Sequence, residues 1–180
     1  MIGSPGSPKT PFLTEILRML SESLFVVGGN TTRAGLINQL FEIQAKVLLI
    51  DELEKMNKID QTAFLHLMET GIISETKINK TRRIHLSTSV FASANSCKTI
   101  SSPLLSRFLV LNIPDYTYEK FHEVATIKLS KDKIDKKLVD IIVHKVWNEL
   151  GSKDIRDVIK VAKLVSCTEE VSLLVKMMKK

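Results

Sequence analysis

Cysteine is nearly absent: Cys97 and Cys167 are the only two in 180 residues. They lie far apart and fit no metal-ligand spacing, so they read as free thiols in a reducing, cytoplasmic setting. Glycine and proline are also sparse, at 7 and 5, and the longest tract biased toward them is Gly3–Pro8. Low-complexity architectures are thereby excluded. Aromatic residues make up 6% of the chain, which leaves few rings on which a nucleic-acid base could stack. No apolar run reaches the roughly 18 residues a membrane-spanning helix requires. The first eleven residues are small and polar, unlike a secretory leader, and no membrane partner is expected. What remains is an ordinary globular balance, 44% hydrophobic and 26% charged, sized for one domain or a domain with a small appendage.

The texture changes near Pro114. Before it, Leu24–Val27, Val47–Ile50, Val90–Ala94 and Leu109–Ile113 are short bounded apolar runs of the buried-strand type. Between them Phe12–Leu20, Ala34–Phe41 and Asp60–Glu69 repeat apolar residues at helical spacing. Strands alternating with helices predict an α/β fold, a mostly parallel sheet covered on both faces. Beyond Pro114 the strand signals stop. Tyr118–Ser130, Lys136–Leu150, Asp154–Val165 and Glu169–Met178 predict a small helical bundle. The expected division is therefore an α/β domain over residues 1–115 and a helical domain over 116–180.

Charge is unevenly distributed. Of the net +6, residues 1–115 carry 12 Lys+Arg against 10 Asp+Glu and residues 116–180 carry 14 against 10. The densest basic cluster is nevertheless Lys77, Lys80, Arg82 and Arg83, with no acid between Thr76 and Ser89. Such a cluster suits an anionic partner, and it equally suits a solvated loop.

Four segments carry candidate chemistry. Gly3-Ser4-Pro5-Gly6-Ser7-Pro8-Lys9-Thr10 follows the phosphate-loop pattern G-x-x-x-x-G-K-[ST], with Pro8 in place of the last glycine. In that pattern backbone N–H groups cradle phosphates at a helix N-terminus, lysine reaches the outer phosphates, and the Thr hydroxyl holds Mg²⁺. Pro8 has no N–H to contribute, although its fixed φ suits a first helical turn. Val47–Ile50 runs into Asp51-Glu52, which places two carboxylates at the end of a buried strand, where open α/β sheets bind ligands. One can hold Mg²⁺ and the other can orient a water for attack on phosphorus. Val90–Ala94 ends in Asn95, a residue that could meet the γ-phosphate or that water and that otherwise reads as a turn former. Leu104-Leu105-Ser106-Arg107-Phe108 sets an arginine among apolar residues, where it could reach a neighbour's phosphate or serve as a surface charge.

Taken in this order, the segments resemble the AAA+ ATPase family from Ile2 to about Val165. The resemblance assigns Gly3, Gly6, Lys9 and Thr10 to Walker A, Asp51 and Glu52 to Walker B, and Asn95 to sensor 1. It makes Arg107 the arginine finger acting in trans and Arg156, in Lys153-Asp154-Ile155-Arg156, the sensor 2 residue. The segment Leu67–Ser87 reads as a β-hairpin, about residues 72–87, inserted before sensor 1. With Ser101–Phe108 it is similar to RuvB-type branch-migration ATPases, most of all an archaeal-type group with a variant phosphate loop, and more loosely to minichromosome-maintenance helicases.

That resemblance implies ATP and Mg²⁺ as cofactors, a homo-oligomer when active, and a protein or DNA partner met by the basic hairpin. It also implies a central strand immediately upstream of the phosphate loop, of which Met1-Ile2 stand here, and a winged-helix domain after the lid in RuvB proteins. Three functions are therefore carried forward: an ATPase module, a non-catalytic AAA+-like interaction module, and a basic nucleic-acid binder using the hairpin.

Overall fold

A computed structural model describes residues 1–77, 80–130 and 134–179, with the side chains of Lys77 and Lys80 outside that description. The chain divides into two compact units, Met1–Ser4 with Pro8–Ile113, and Pro5–Ser7 with Pro114–Lys180.

The first unit is built on three parallel strands in the order β1-β2-β5, with β1 at Ser23–Val27, β2 at Val47–Asp51 and β5 at Ser89–Ala92. β2 is the central strand, and Leu48, Leu49, Ile50 and Asp51 are all buried along it. Successive side chains of a strand point to opposite faces, so a run buried at every position requires cover on both sides. On one face Leu48 and Ile50 join a core with Leu36 and Leu40 of α2 (Arg33–Ile43) and Phe64 and Leu67 of α3 (Lys58–Thr70). On the other, Leu49 is fully buried where α1 (Lys9–Met19), with its own buried Leu13, packs against β2.

Local signals start and stop these helices. The Thr32 side chain accepts a hydrogen bond from Gly35 N at the start of α2, and Asn57 accepts one from Asp60 N at the start of α3. α3 ends on Gly71 in the left-handed conformation, φ 68°.

The run Leu109–Ile113 does not form the expected strand. Ile2 lies between Ala94 and Asn112, bridged in parallel to each, and its N–H donates to Leu111 O at 2.8 Å. Among the described residues the run makes this isolated bridge, and Leu109 and Leu111 are exposed.

The hairpin is present as β3 (Ile72–Lys77) paired antiparallel with β4 (Lys80–His85), forming a separate two-stranded sheet. Ile73 is buried and Ile84 half-buried against the core of the first unit. Ile84 is therefore an anchor of the hairpin. Residues 78 and 79, between the two strands, lie outside the described residues.

The second unit holds α5 (Tyr118–Ser130), α6 (Lys136–Asn148), α7 (Ile155–Leu164) and α8 (Thr168–Met178); the one-turn α4 (Ser102–Leu105) belongs to the first unit. Phe121, Ile142, Val143, Val158, Val161 and Val171 are buried at its centre. The ring centroids of Phe121 and Tyr118 lie 5.0 and 5.7 Å from that of Trp147. Among the described residues no helix is long and apolar enough to cross a membrane.

Candidate nucleotide site

Lys9 and Thr10 open α1, directly after the glycine-containing loop. Gly6 adopts φ 86°, a conformation that side-chain-bearing residues avoid. Pro8 caps the helix through its carbonyl, which accepts Phe12 N at 3.1 Å. Lys9 is 6% exposed, and its ammonium donates to Gly3 O at 3.0 Å and Ser4 O at 2.7 Å. A buried ammonium needs such partners, since its desolvation otherwise costs several kcal/mol.

Thr10 faces the end of β2. Its Oγ1 donates to Asp51 Oδ2 at 2.8 Å, while Ser93 Oγ donates to the other oxygen, Oδ1. Both carboxylate oxygens of a nearly buried Asp51 are thus fixed by hydroxyls. Ser93 follows β5 and is fully buried. Its N–H donates to Ile50 O at 2.8 Å, its carbonyl accepts Leu53 N at 2.9 Å, and its Oγ accepts Glu52 N at 3.2 Å. Reading the sequence alone missed Ser93. It lies inside an apolar run, and only the alignment of β5 beside β2 brings its hydroxyl to Asp51.

The two carboxylates of the Asp51-Glu52 pair diverge. Glu52 sits in the left-handed region, φ 56°, and its Oε1 pairs with Lys55 Nζ at 2.8 Å. That contact holds the Lys55 ammonium above its ordinary pKa, chiefly through the hydrogen bond. Asn95 meets Glu54, donating from Nδ2 to Oε1 at 2.6 Å, and the other oxygen of Glu54 is buried without a hydrogen-bond partner.

Gly28 packs against the turn that carries Glu52. A Cβ placed there would stand 2.3 Å from Glu52 O, inside the backbone of the turn that carries Glu52. Gly28→Ala is therefore expected to cost about 1–3 kcal/mol of stability by forcing β1 and that turn apart. Urea unfolding checks this, and an unchanged midpoint would contradict it.

The other candidates lie elsewhere. Arg107 pairs through Nη2 with Glu69 Oε1 at 3.0 Å and donates through Nη1 to Pro103 O at 2.6 Å. Arg156, in the second unit, stands in the first turn of α7 and pairs with Asp154 at 2.8 Å. Of the basic hairpin cluster, Arg82 is engaged: it pairs with Glu75, donates to Asn38 Oδ1 at 2.6 Å and lies 4.5 Å over the Phe41 ring. Arg82 thus fastens the hairpin to α2.

The donor set is chemically apt for nucleotide and Mg²⁺. A hydroxyl and a carboxylate are hard oxygen ligands, and Mg²⁺ typically takes one or two such groups plus phosphates and waters. Among the described residues no group of three or more His, Cys, Asp or Glu could hold a metal by itself.

Comparison with known proteins agrees with this architecture. The model of the ATPase family associated with various cellular activities (AAA) matches residues 1–114. The probable DNA helicase MCM9 of Oryza sativa subsp. indica is 27% identical over 76% of this chain and 24% of its own length. The minichromosome maintenance protein MCM of Saccharolobus solfataricus is 24% identical over 92% of this chain and 26% of its own. Among solved structures, the RuvB Holliday junction branch migration motor of Thermotoga maritima superposes with a TM-score of 0.68 at 20% identity, covering 90% of this chain and 51% of that one. At that identity the likeness establishes the fold. The chain spans about a quarter of these curated relatives and about half of the RuvB chain. With the family match covering residues 1–114, from the phosphate loop through the acidic pair and Asn95 to Arg107, the chain belongs to the AAA ATPase family.

Proposed function

We propose that this chain is a RuvB- and helicase-like ATPase module that binds ATP with Mg²⁺ and hydrolyses it to remodel a nucleic-acid or protein client. The observation that carries this reading is the Thr10–Asp51 hydrogen bond, which joins the phosphate-loop helix to the strand-end carboxylate. Gly3, Ser4, Pro5, Gly6 and Ser7 would wrap the phosphates, with Pro8 setting the turn into α1. Lys9 would exchange its carbonyl partners for phosphate oxygens and offset their charge. Thr10 and Asp51 would hold Mg²⁺, which when bound draws negative charge from the phosphates. Glu52 would leave Lys55 and polarise the attacking water, with Asn95 positioning it. Arg107 of one subunit would complete a neighbour's site, so the active form is an oligomer. Arg156 would report the nucleotide state to the helical unit.

The missing N–H of Pro8 weakens phosphate binding. One backbone donor to a charged oxygen is worth roughly 1.5–3 kcal/mol, about ten- to a hundredfold in affinity. The reading is tested by phosphate release with and without Mg²⁺. Turnover should require Mg²⁺, and Glu52→Gln should abolish it while ATP still binds. Turnover that survives Glu52→Gln would overturn the assignment.

The relatives suggest that the client is DNA, and the hairpin is the element that would meet it or a partner protein. Lys77, Lys80 and Arg83 are the cations assigned to that contact, since Arg82 is committed to Glu75, Asn38 and Phe41.

A further inference from the structure

Glu54 stands in the short turn Leu53–Lys55 that follows the strand-end acids. The turn is braced by Lys55 N donating to Glu52 O at 2.9 Å and by Thr99 Oγ1 donating to Glu54 O at 2.6 Å. From this fixed base the carboxylate reaches Asn95: Oε1 accepts from Nδ2 at 2.6 Å, and Oε2 is buried with no hydrogen-bond partner. In this contact the amide nitrogen of Asn95 donates and the carboxyl oxygen of Glu54 accepts. The amide is planar, and its carbonyl Oδ1 is then directed away from Glu54. The contact with Glu54 holds the amide in this one orientation.

We propose that Glu54 is a positioning residue for Asn95, fixing the side-chain amide so that Oδ1 is the acceptor offered to the attacking water. This rests on the ATPase reading above. Water can donate to Oδ1, whereas a phosphate oxygen, itself an acceptor, is repelled by it. Glu54 therefore directs Asn95 toward the water, while Glu52, two residues earlier and paired with Lys55, serves separately as the carboxylate that polarises it. Mutating Glu54 should act on turnover through Asn95 and leave nucleotide affinity in place.

The test has two arms, both on the full chain. In the first, the Asn95 side-chain amide is observed by ¹⁵N–¹H NMR and identified by its loss in Asn95→Asp. One of its two protons should lie downfield and exchange slowly with solvent, and Glu54→Ala should abolish both features. Glu54→Gln, which can still present an oxygen, should restore them in part. In the second arm, Glu54→Ala should lower kcat about tenfold at unchanged KM for ATP and should add nothing to Asn95→Ala. An amide signal indifferent to Glu54→Ala, or losses that simply multiply in the double variant, would overturn the proposal. A wild-type chain that shows the amide signature but hydrolyses no ATP would overturn the ATPase reading and the role at the water, while the orientation of Asn95 by Glu54 would stand.

Discussion

Replacing Lys9 with alanine is expected to remove ATP binding at any concentration practical for calorimetry, while the first unit stays folded. Lys9 is the buried cation of the phosphate loop, and its ammonium is already drawn to the loop by Gly3 O and Ser4 O. In the ATPase reading the ammonium exchanges these carbonyls for phosphate oxygens, so its removal leaves the phosphate charge without a buried counter-charge. Truncating one partner of a buried, hydrogen-bonded charge pair costs about 2–5 kcal/mol, which is roughly thirty- to several-thousandfold in affinity. Applied to a loop that already lacks the Pro8 N–H, a loss of that size takes binding out of range. Lys9→Arg should rescue poorly, since a planar fork replaces a compact charge where two carbonyls converge. Circular dichroism separates loss of binding from loss of fold. ATP affinity within threefold of wild type in folded Lys9→Ala would show that the nucleotide, if bound, sits elsewhere.

Arg107→Ala is expected to lower turnover by about 10³–10⁵, the usual worth of an arginine finger, with nucleotide affinity nearly unchanged. In the isolated chain Arg107 rests on Glu69 and the Pro103 carbonyl. The proposed role in trans requires a neighbour, so turnover per chain should rise with protein concentration, most visibly at low ionic strength, where the net charge of +6 opposes association. Mixing Arg107→Ala with Glu52→Gln should restore part of the activity, because each supplies what the other lacks at a shared site. Turnover proportional to concentration and insensitive to Arg107→Ala would contradict action in trans.

Much of the fold was legible because burial leaves a strong mark on sequence. Val47–Asp51 is apolar at every position before the carboxylate because both faces of β2 are covered, and helix spacing in Tyr118–Ser130 and Lys136–Asn148 follows the buried stripe of each helix. The run Leu109–Ile113 looked the same, yet among the described residues it makes a single bridge, Asn112 to Ile2, and Leu109 and Leu111 stay exposed. Within the site, Lys9, Thr10 and Asp51 were readable because their spacing is set by one loop and one strand. Ser93, Glu54 and Glu69 were not. Each acts through a partner distant in sequence — Asp51, Asn95 and Arg107 respectively — and no local pattern records such a contact. Arg82 illustrates the converse: a cation in an acid-free stretch looked available, and pairing of β3 with β4 set it opposite Glu75.

The central claim is that the phosphate loop, joined through Thr10 to Asp51, takes ATP together with Mg²⁺. The most direct measurement is calorimetric titration of the wild-type chain with ATP, first in excess Mg²⁺ and then in EDTA. The account predicts one site per chain of modest affinity, with a Kd of roughly 10 μM to 1 mM given the missing Pro8 donor, weakened at least tenfold when Mg²⁺ is withdrawn. Absence of binding in Mg²⁺ at millimolar ATP, or binding equally strong in EDTA, would contradict it.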